Sequence, residues 1–165
     1  MISVTGLPRT GTSMMCHCLS LAGVPLAFTD NRRDKEQYRN PYGCYEGMRN
    51  GEDGLIKVFS EKELEDIPDI RIVCMYRDPE KVSKSWNETM KRINPTNKHI
   101  DTSENVKLRL AHLDKWVKKY PHIKVDYDTF VTNPEEYREV FITLFPELDY
   151  DIIIKGIDKN LYINR

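Results

Sequence analysis

The eight residues Gly6-Leu7-Pro8-Arg9-Thr10-Gly11-Thr12-Ser13 carry the first chemistry visible in this chain. Their glycines and hydroxyls have the spacing of a phosphate-binding loop between a strand and a helix. In such a loop, successive backbone N–H groups and the positive end of the helix enclose an anion. Thr10, Thr12 and Ser13 are candidate hydroxyl donors, and the only cation in the loop is Arg9. The nucleoside-triphosphate form of the loop needs a lysine directly before its last Ser/Thr, to reach the β and γ phosphates. Here that position is Thr12.

A second segment, Arg77-Asp78-Pro79-Glu80-Lys81-Val82-Ser83-Lys84-Ser85, follows the apolar run 70–76. It sets a guanidinium where that run ends and a hydroxyl eight residues later, about two helical turns on. Arginine offers a planar fork suited to phosphate, and serine adds one short donor. ATP chemistry would also need Mg²⁺, held by the loop hydroxyl and by an acid closing a neighbouring strand. The apolar run closes instead on Tyr76-Arg77, and Pro79 marks Asp78 as a helix cap. Both segments therefore suit an anion bound without a metal.

The elements that must position these groups are legible from period and punctuation. Residues 2–5 read as a short strand. From Thr12 a helix presents Met14, Met15, Cys18, Leu19 and Ala22 on one side and stops at Gly23. Residues 28–54 are rich in Gly and Arg and poor in aliphatics, a long excursion of the functional kind. Residues 55–59 predict a second strand. The near-continuous apolar run 70–76 predicts a parallel strand covered on both faces. Asp78 as N-cap and Pro79 at the first helical position open a helix whose buried face is Val82, Trp86, Met90 and Ile93. After the polar stretch 94–103, a helix over 104–120 carries the stripe Val106, Leu110, Leu113, Val117 and Tyr120, and residues 122–127 alternate like a strand. Asn133-Pro134-Glu135 then caps a last long helix with Tyr137, Val140, Phe141, Leu144 and Phe145. Strands alternating with helices predict one α/β domain over 1–165, a three-layer parallel sheet with a P-loop-like strand–loop–helix at its start. In such sheets ligands bind beyond the carboxyl ends of the strands, where both anion-binding segments fall.

With these two motifs in this order, the sequence resembles the sulfotransferases that use 3′-phosphoadenosine 5′-phosphosulfate (PAPS). Their first motif, P-[KR]-[ST]-G-[ST]-[ST], is matched throughout by Pro8-Arg9-Thr10-Gly11-Thr12-Ser13 and binds the 5′-phosphosulfate. Their second places Arg at a strand end and Ser eight residues later on the 3′-phosphate, as Arg77 and Ser85 stand here. Asn40-Pro41-Tyr42-Gly43-Cys44-Tyr45-Glu46 and Asp126-Tyr127-Asp128-Thr129-Phe130 are similar to further stretches of small members of the family. The resemblance implies metal-free transfer of a sulfuryl group from PAPS to a hydroxyl or amine, leaving 3′,5′-adenosine bisphosphate. It implies Arg9 and Thr12 on the leaving phosphate and sulfonate, Lys57 on the sulfonate, and Glu46 as the base that takes the acceptor proton. His17, inside the first helix, reads as a packed histidine, His99 as a lesser candidate base, and Trp86 as core. The family's C-terminal Gly-rich, basic loop is reduced here to Lys155-Gly156 and Lys159-Asn160, and its function is not carried over.

Composition narrows the partners. Twenty-five basic against 26 acidic residues leave a net charge of −1, so no global field draws the chain to nucleic acid or a membrane surface. The start Met1-Ile2-Ser3-Val4-Thr5 has no basic and apolar leader pattern, and four cysteines without CxxC spacing read as reduced, packed thiols. A cytoplasmic location is the expectation. Residues 28–54 and 94–103, with Tyr38, Tyr42 and Tyr45, are expected to build the site for a small-molecule or glycan acceptor, such as a carbohydrate or a small polar alcohol. The short chain suggests an acceptor site left open or completed by a partner subunit of a homo-oligomer. Two other readings keep the same loop: a non-catalytic module that binds adenosine bisphosphate, and a divergent P-loop nucleotide kinase.

Overall fold

A computed structural model describes residues 1–29, 48–49, 53–96 and 100–157. Glu46, with the rest of the 40–46 stretch, lies outside them, as do Tyr38, His99 and Lys159-Asn160. The elements run β1 (Ile2–Gly6), α1 (Thr12–Leu21), β2 (Phe28–Thr29), β3 (Met48–Arg49), β4 (Leu55–Val58), β5 (Arg71–Tyr76), α2 (Pro79–Ile93), α3 (Ser103–Val117), β6 (His122–Asp126), α4 (Tyr127–Thr132), α5 (Arg138–Leu144) and α6 (Tyr150–Lys155). Short 3₁₀ turns at Glu61–Leu64 and Pro134–Tyr137 complete them.

Four strands form one all-parallel sheet in the order β4-β1-β5-β6, while β2 and β3 make a separate antiparallel pair. In register, Gly6 stands beside Met75, and Tyr76 beside Asp126. The chain leaves β1 toward β4 on one side and leaves β5 toward β6 on the other. Right-handed crossovers in opposite directions put their helices on opposite faces. The burial agrees, because β1 is buried along its whole length and β5 from Ile72 to Met75. The result is a single α/β domain with helices covering the sheet.

The core gathers Val4, Ile72 and Met75 of the sheet with Met14, Met15 and Leu19 of α1. Beyond β6, Phe130 stacks on Phe141 and Phe145 packs at a tilt on Phe141, with Phe141 and Tyr150 ring centres 5.3 Å apart. Cys16, Cys18 and Cys74 are buried. Burial pushes the Cys18 and Cys74 thiols up to about 12, so both stay protonated and inert as nucleophiles. No helix among the described residues is long and apolar enough to cross a membrane.

Three local expectations are corrected. Strand β6 ends at Asp126, whose carboxylate accepts from Thr129 N at 2.9 Å and so caps an unforeseen helix, α4. The last long helix is divided: a 3₁₀ turn precedes α5, which ends before Pro146, and α6 starts afresh behind the Asp149 cap. Ile93 and Val140 are exposed, and the buried partner of Val82 on α2 is Thr89.

Arg71, at the start of β5, ties the sheet to the turn after α5. It donates to Leu144 O at 2.8 Å and pairs with Glu147. The hydrogen bond from Arg71 to Glu147 holds that carboxyl below the usual glutamate range. A lowered folded-state pKa contributes stability that is complete above the unfolded-state value and lost as pH falls through the folded one. The pair is solvent-screened and worth about 1 kcal/mol or less. Glu147→Gln is expected to lower the melting temperature slightly at pH 7, by an amount that shrinks as the solution is acidified. A difference that does not shrink with acidification would rule the ion pair out as its source.

Candidate functional site

Strand order reverses between the neighbours β1 and β5, and ligand crevices form outside the carboxyl ends of such a pair. Both anion-binding segments leave the sheet there. The backbone after Gly6 turns at once: Thr10 N donates to Leu7 O at 3.2 Å, with Pro8 and Arg9 as the central residues. Arg9 has φ 75°, so the pair follows the pattern of a type II turn, with proline second and a left-handed residue third. Glycine or asparagine is the usual occupant of that third position. An arginine there holds a costly backbone conformation, and such outliers gather at functional sites.

The consequence is where the Arg9 side chain goes. Its Nε donates to Ser85 Oγ on α2 at 3.0 Å, across 76 residues of sequence. Arg77, one residue past β5, sends Nη1 to the Arg9 carbonyl oxygen in a long contact of 3.5 Å. Lys57 of β4 donates to Ser13 Oγ at 3.2 Å and lies over the Phe59 ring. Of the residues singled out from sequence, Arg9, Ser13, Lys57, Arg77 and Ser85 thus meet through two linked contacts and one adjoining pair. Ser13 and Ser85 each accept from a cation and retain a proton to donate.

The hydroxyls and amides of the loop divide into two groups. Thr10 is fully buried and its Oγ1 donates to Leu7 O at 2.7 Å, so it shapes the turn instead of offering an open donor. Thr12, also buried, is the first residue of α1. The first intrahelical bond runs from Met15 N to Gly11 O at 3.0 Å. The amides of Thr12, Ser13 and Met14 precede it and have no acceptor within the helix. With no acidic side chain in that first turn, the dipole end is left positive for an anion.

The β6–α4 junction supplies groups that had no assigned role. Tyr127 packs its ring edge against Gly11, and Arg77 lies over the face of that ring with its guanidinium carbon 4.7 Å from the centre. Asp128 stands 3.3 Å from Arg77 Nε and accepts from Lys81 Nζ at 2.9 Å. The acid beside Arg77 is thus Asp128, while Asp78 accepts from the amides of Glu80 and Lys81 and caps α2. An aromatic residue and an acid directly beyond the fourth parallel strand were the available signal, hidden because residue 127 reads as strand.

His17 is half-buried in α1, and burial lowers its pKa, so the ring is neutral at pH 7. Trp86 is half-buried on α2, and Lys155-Gly156 closes α6. A scan against protein families finds no match to this chain, and a search of curated proteins finds no similar sequence.

Proposed function

We propose that this chain is a PAPS-dependent sulfotransferase and that the crevice between β1 and β5 is its donor site. The observation that carries the reading is the 3.0 Å hydrogen bond from Arg9 to Ser85, which joins the loop suited to a 5′-phosphosulfate to the segment suited to a 3′-phosphate. A ligand that engages both must carry anionic groups at two ends of one small scaffold, as an adenosine 3′,5′-bisphosphate does. The P-loop-like character of residues 6–13 belongs to this reading. Arg77 brings a second guanidinium to the same loop, its Nη1 in a long 3.5 Å contact with the Arg9 carbonyl, which suits a site that receives a polyanion.

In this reading the α1 amides, Arg9 and Thr12 hold the 5′ end, and Arg77 and Ser85 hold the 3′-phosphate. PAPS supplies an already activated sulfuryl group, so the protein's part is positioning and charge stabilisation. Lys57, held at Ser13, places an ammonium beside the start of α1, where a sulfonate oxygen would gain negative charge. Cations and amides suffice for such a group where triphosphate chemistry calls for Mg²⁺. Glu46 is assigned, from the resemblance alone, to take the proton of the acceptor hydroxyl or amine. The acceptor class stays a carbohydrate or small polar alcohol.

Thermal shift with three nucleotides tests the donor site. Adenosine 3′,5′-bisphosphate is expected to raise the melting temperature without Mg²⁺ and more than ADP or ATP does. A larger shift from ATP that needs Mg²⁺ would replace the reading with a nucleotide kinase, and no shift from any of them would end it. Binding without sulfuryl transfer to any acceptor would leave a nucleotide-binding module. Arg77→Ala is expected to weaken adenosine 3′,5′-bisphosphate at least tenfold, about 1.4 kcal/mol, while 5′-AMP binding barely changes. Equal losses for both nucleotides would show that Arg77 does not read the 3′-phosphate.

A further inference from the structure

Arg77 and Asp128 make a poor structural ion pair. The side chains are 10% and 17% exposed, and Nε lies 3.3 Å from Oδ1. Yet neither atom has a hydrogen-bond partner, although both are buried. The groups are within ion-pair distance but out of hydrogen-bond alignment. A buried pair that served stability would be bidentate and fully hydrogen-bonded, since only that geometry offsets the desolvation of both charges. This one leaves the Nε–H of a buried guanidinium without a hydrogen bond.

What the contact does is fix orientation. Asp128 is itself held, because Lys81 Nζ grips its other oxygen, Oδ2, at 2.9 Å. The neighbouring Tyr127 forms a platform beneath the guanidinium plane. With Nε turned to Asp128 and the guanidinium over Tyr127, the Nη end is left for other partners. It points to the loop after β1, where Nη1 meets the Arg9 carbonyl. We propose that Asp128 is a positioning residue for Arg77: by occupying the Nε side of the guanidinium, it aims the Nη1–Nη2 fork at the 3′-phosphate position of the donor site. This inference rests on the donor-site reading and adds how selectivity for a 3′-phosphorylated nucleotide arises. A carboxylate beside an anion site also repels the ligand. The acid is therefore retained for geometry against its charge.

Charge and geometry are separated by comparing Asp128→Asn with Asp128→Ala. Both variants remove the negative charge, and only asparagine keeps an oxygen within reach of Nε. By calorimetric titration, the asparagine variant is expected to bind adenosine 3′,5′-bisphosphate at least fivefold more tightly than the alanine variant. Both should bind 5′-AMP equally, a control that the loop and α1 are intact. In an Arg77→Ala background the two substitutions should become indistinguishable, because the residue they act through is gone. Equal bisphosphate affinities for the two single variants would overturn the proposal, as would a difference that persists without Arg77. If the alanine variant has no cooperative melt, Asp128→Ser replaces it, its hydroxyl being too short to reach Nε. Wild-type protein that binds neither nucleotide would overturn the donor-site reading, and this inference with it. Wild-type binding with equal asparagine and alanine variants would overturn only the role of Asp128.

Discussion

Arg9→Ala is expected to lower the rate of sulfuryl transfer by about 10²–10³-fold, the effect of removing one preorganised donor from a site of developing charge. The assay is release of adenosine 3′,5′-bisphosphate from PAPS with an acceptor that the wild-type protein sulfates. The backbone of Arg9 makes a sharper version possible. At φ 75° a side chain costs about 1–2 kcal/mol relative to a residue without Cβ. Arg9→Gly should therefore lose activity as fully as Arg9→Ala yet melt at a higher temperature than the alanine variant. That combination would mark a residue kept for chemistry at the expense of its turn. If the glycine and alanine variants keep near-wild-type rates, the guanidinium is not part of the reaction and the proposed function fails at its centre.

Gly11→Ala should be the most damaging small substitution in the loop. Gly11 has φ 90°, and a Cβ there would lie 2.1 Å from Tyr127 Cδ2 and 2.8 Å from Cε2. The left-handed backbone alone costs about 1–2 kcal/mol, and displacing a packed ring adds about 1–3 kcal/mol. The ring that must move is the one under Arg77. Nucleotide binding should thus fall together with stability. Gly23 provides the control, since it has φ 91° and a Cβ added to it would meet nothing within 4 Å. Gly23→Ala carries the backbone cost without the collision. If the two variants melt at the same temperature, Tyr127 does not press on Gly11 and the loop is not braced by the β6–α4 junction.

The features read correctly from sequence share a short range. The Asp78-Pro79 start of α2, the stop of α1 near Gly23 and the buried run of β5 each depend on residues a few positions apart, where caps, backbone freedom and apolar period act directly. Reading failed at 127, where an alternating pattern continued into a helix, because the Asp126 cap competes with strand extension over a single residue. At Thr10 the residue type announces a donor, while the fold directs its hydroxyl to Leu7 O. Hydroxyl count in a loop overstates what a ligand can use.

The chain's own sequence determined that a glycine turn bearing Arg9 precedes a helix, and that Arg77 ends the most apolar strand. That the two segments serve one nucleotide came only as an implication of the resemblance; their contacts came from the fold. Arg9 reaches Ser85, and Arg77 reaches both Arg9 and Asp128, because β1, β5 and β6 are sheet neighbours. That adjacency is decided by which way each crossover turns. No local pattern encodes it; it follows from how the covered strands and their helices bury the most apolar surface together.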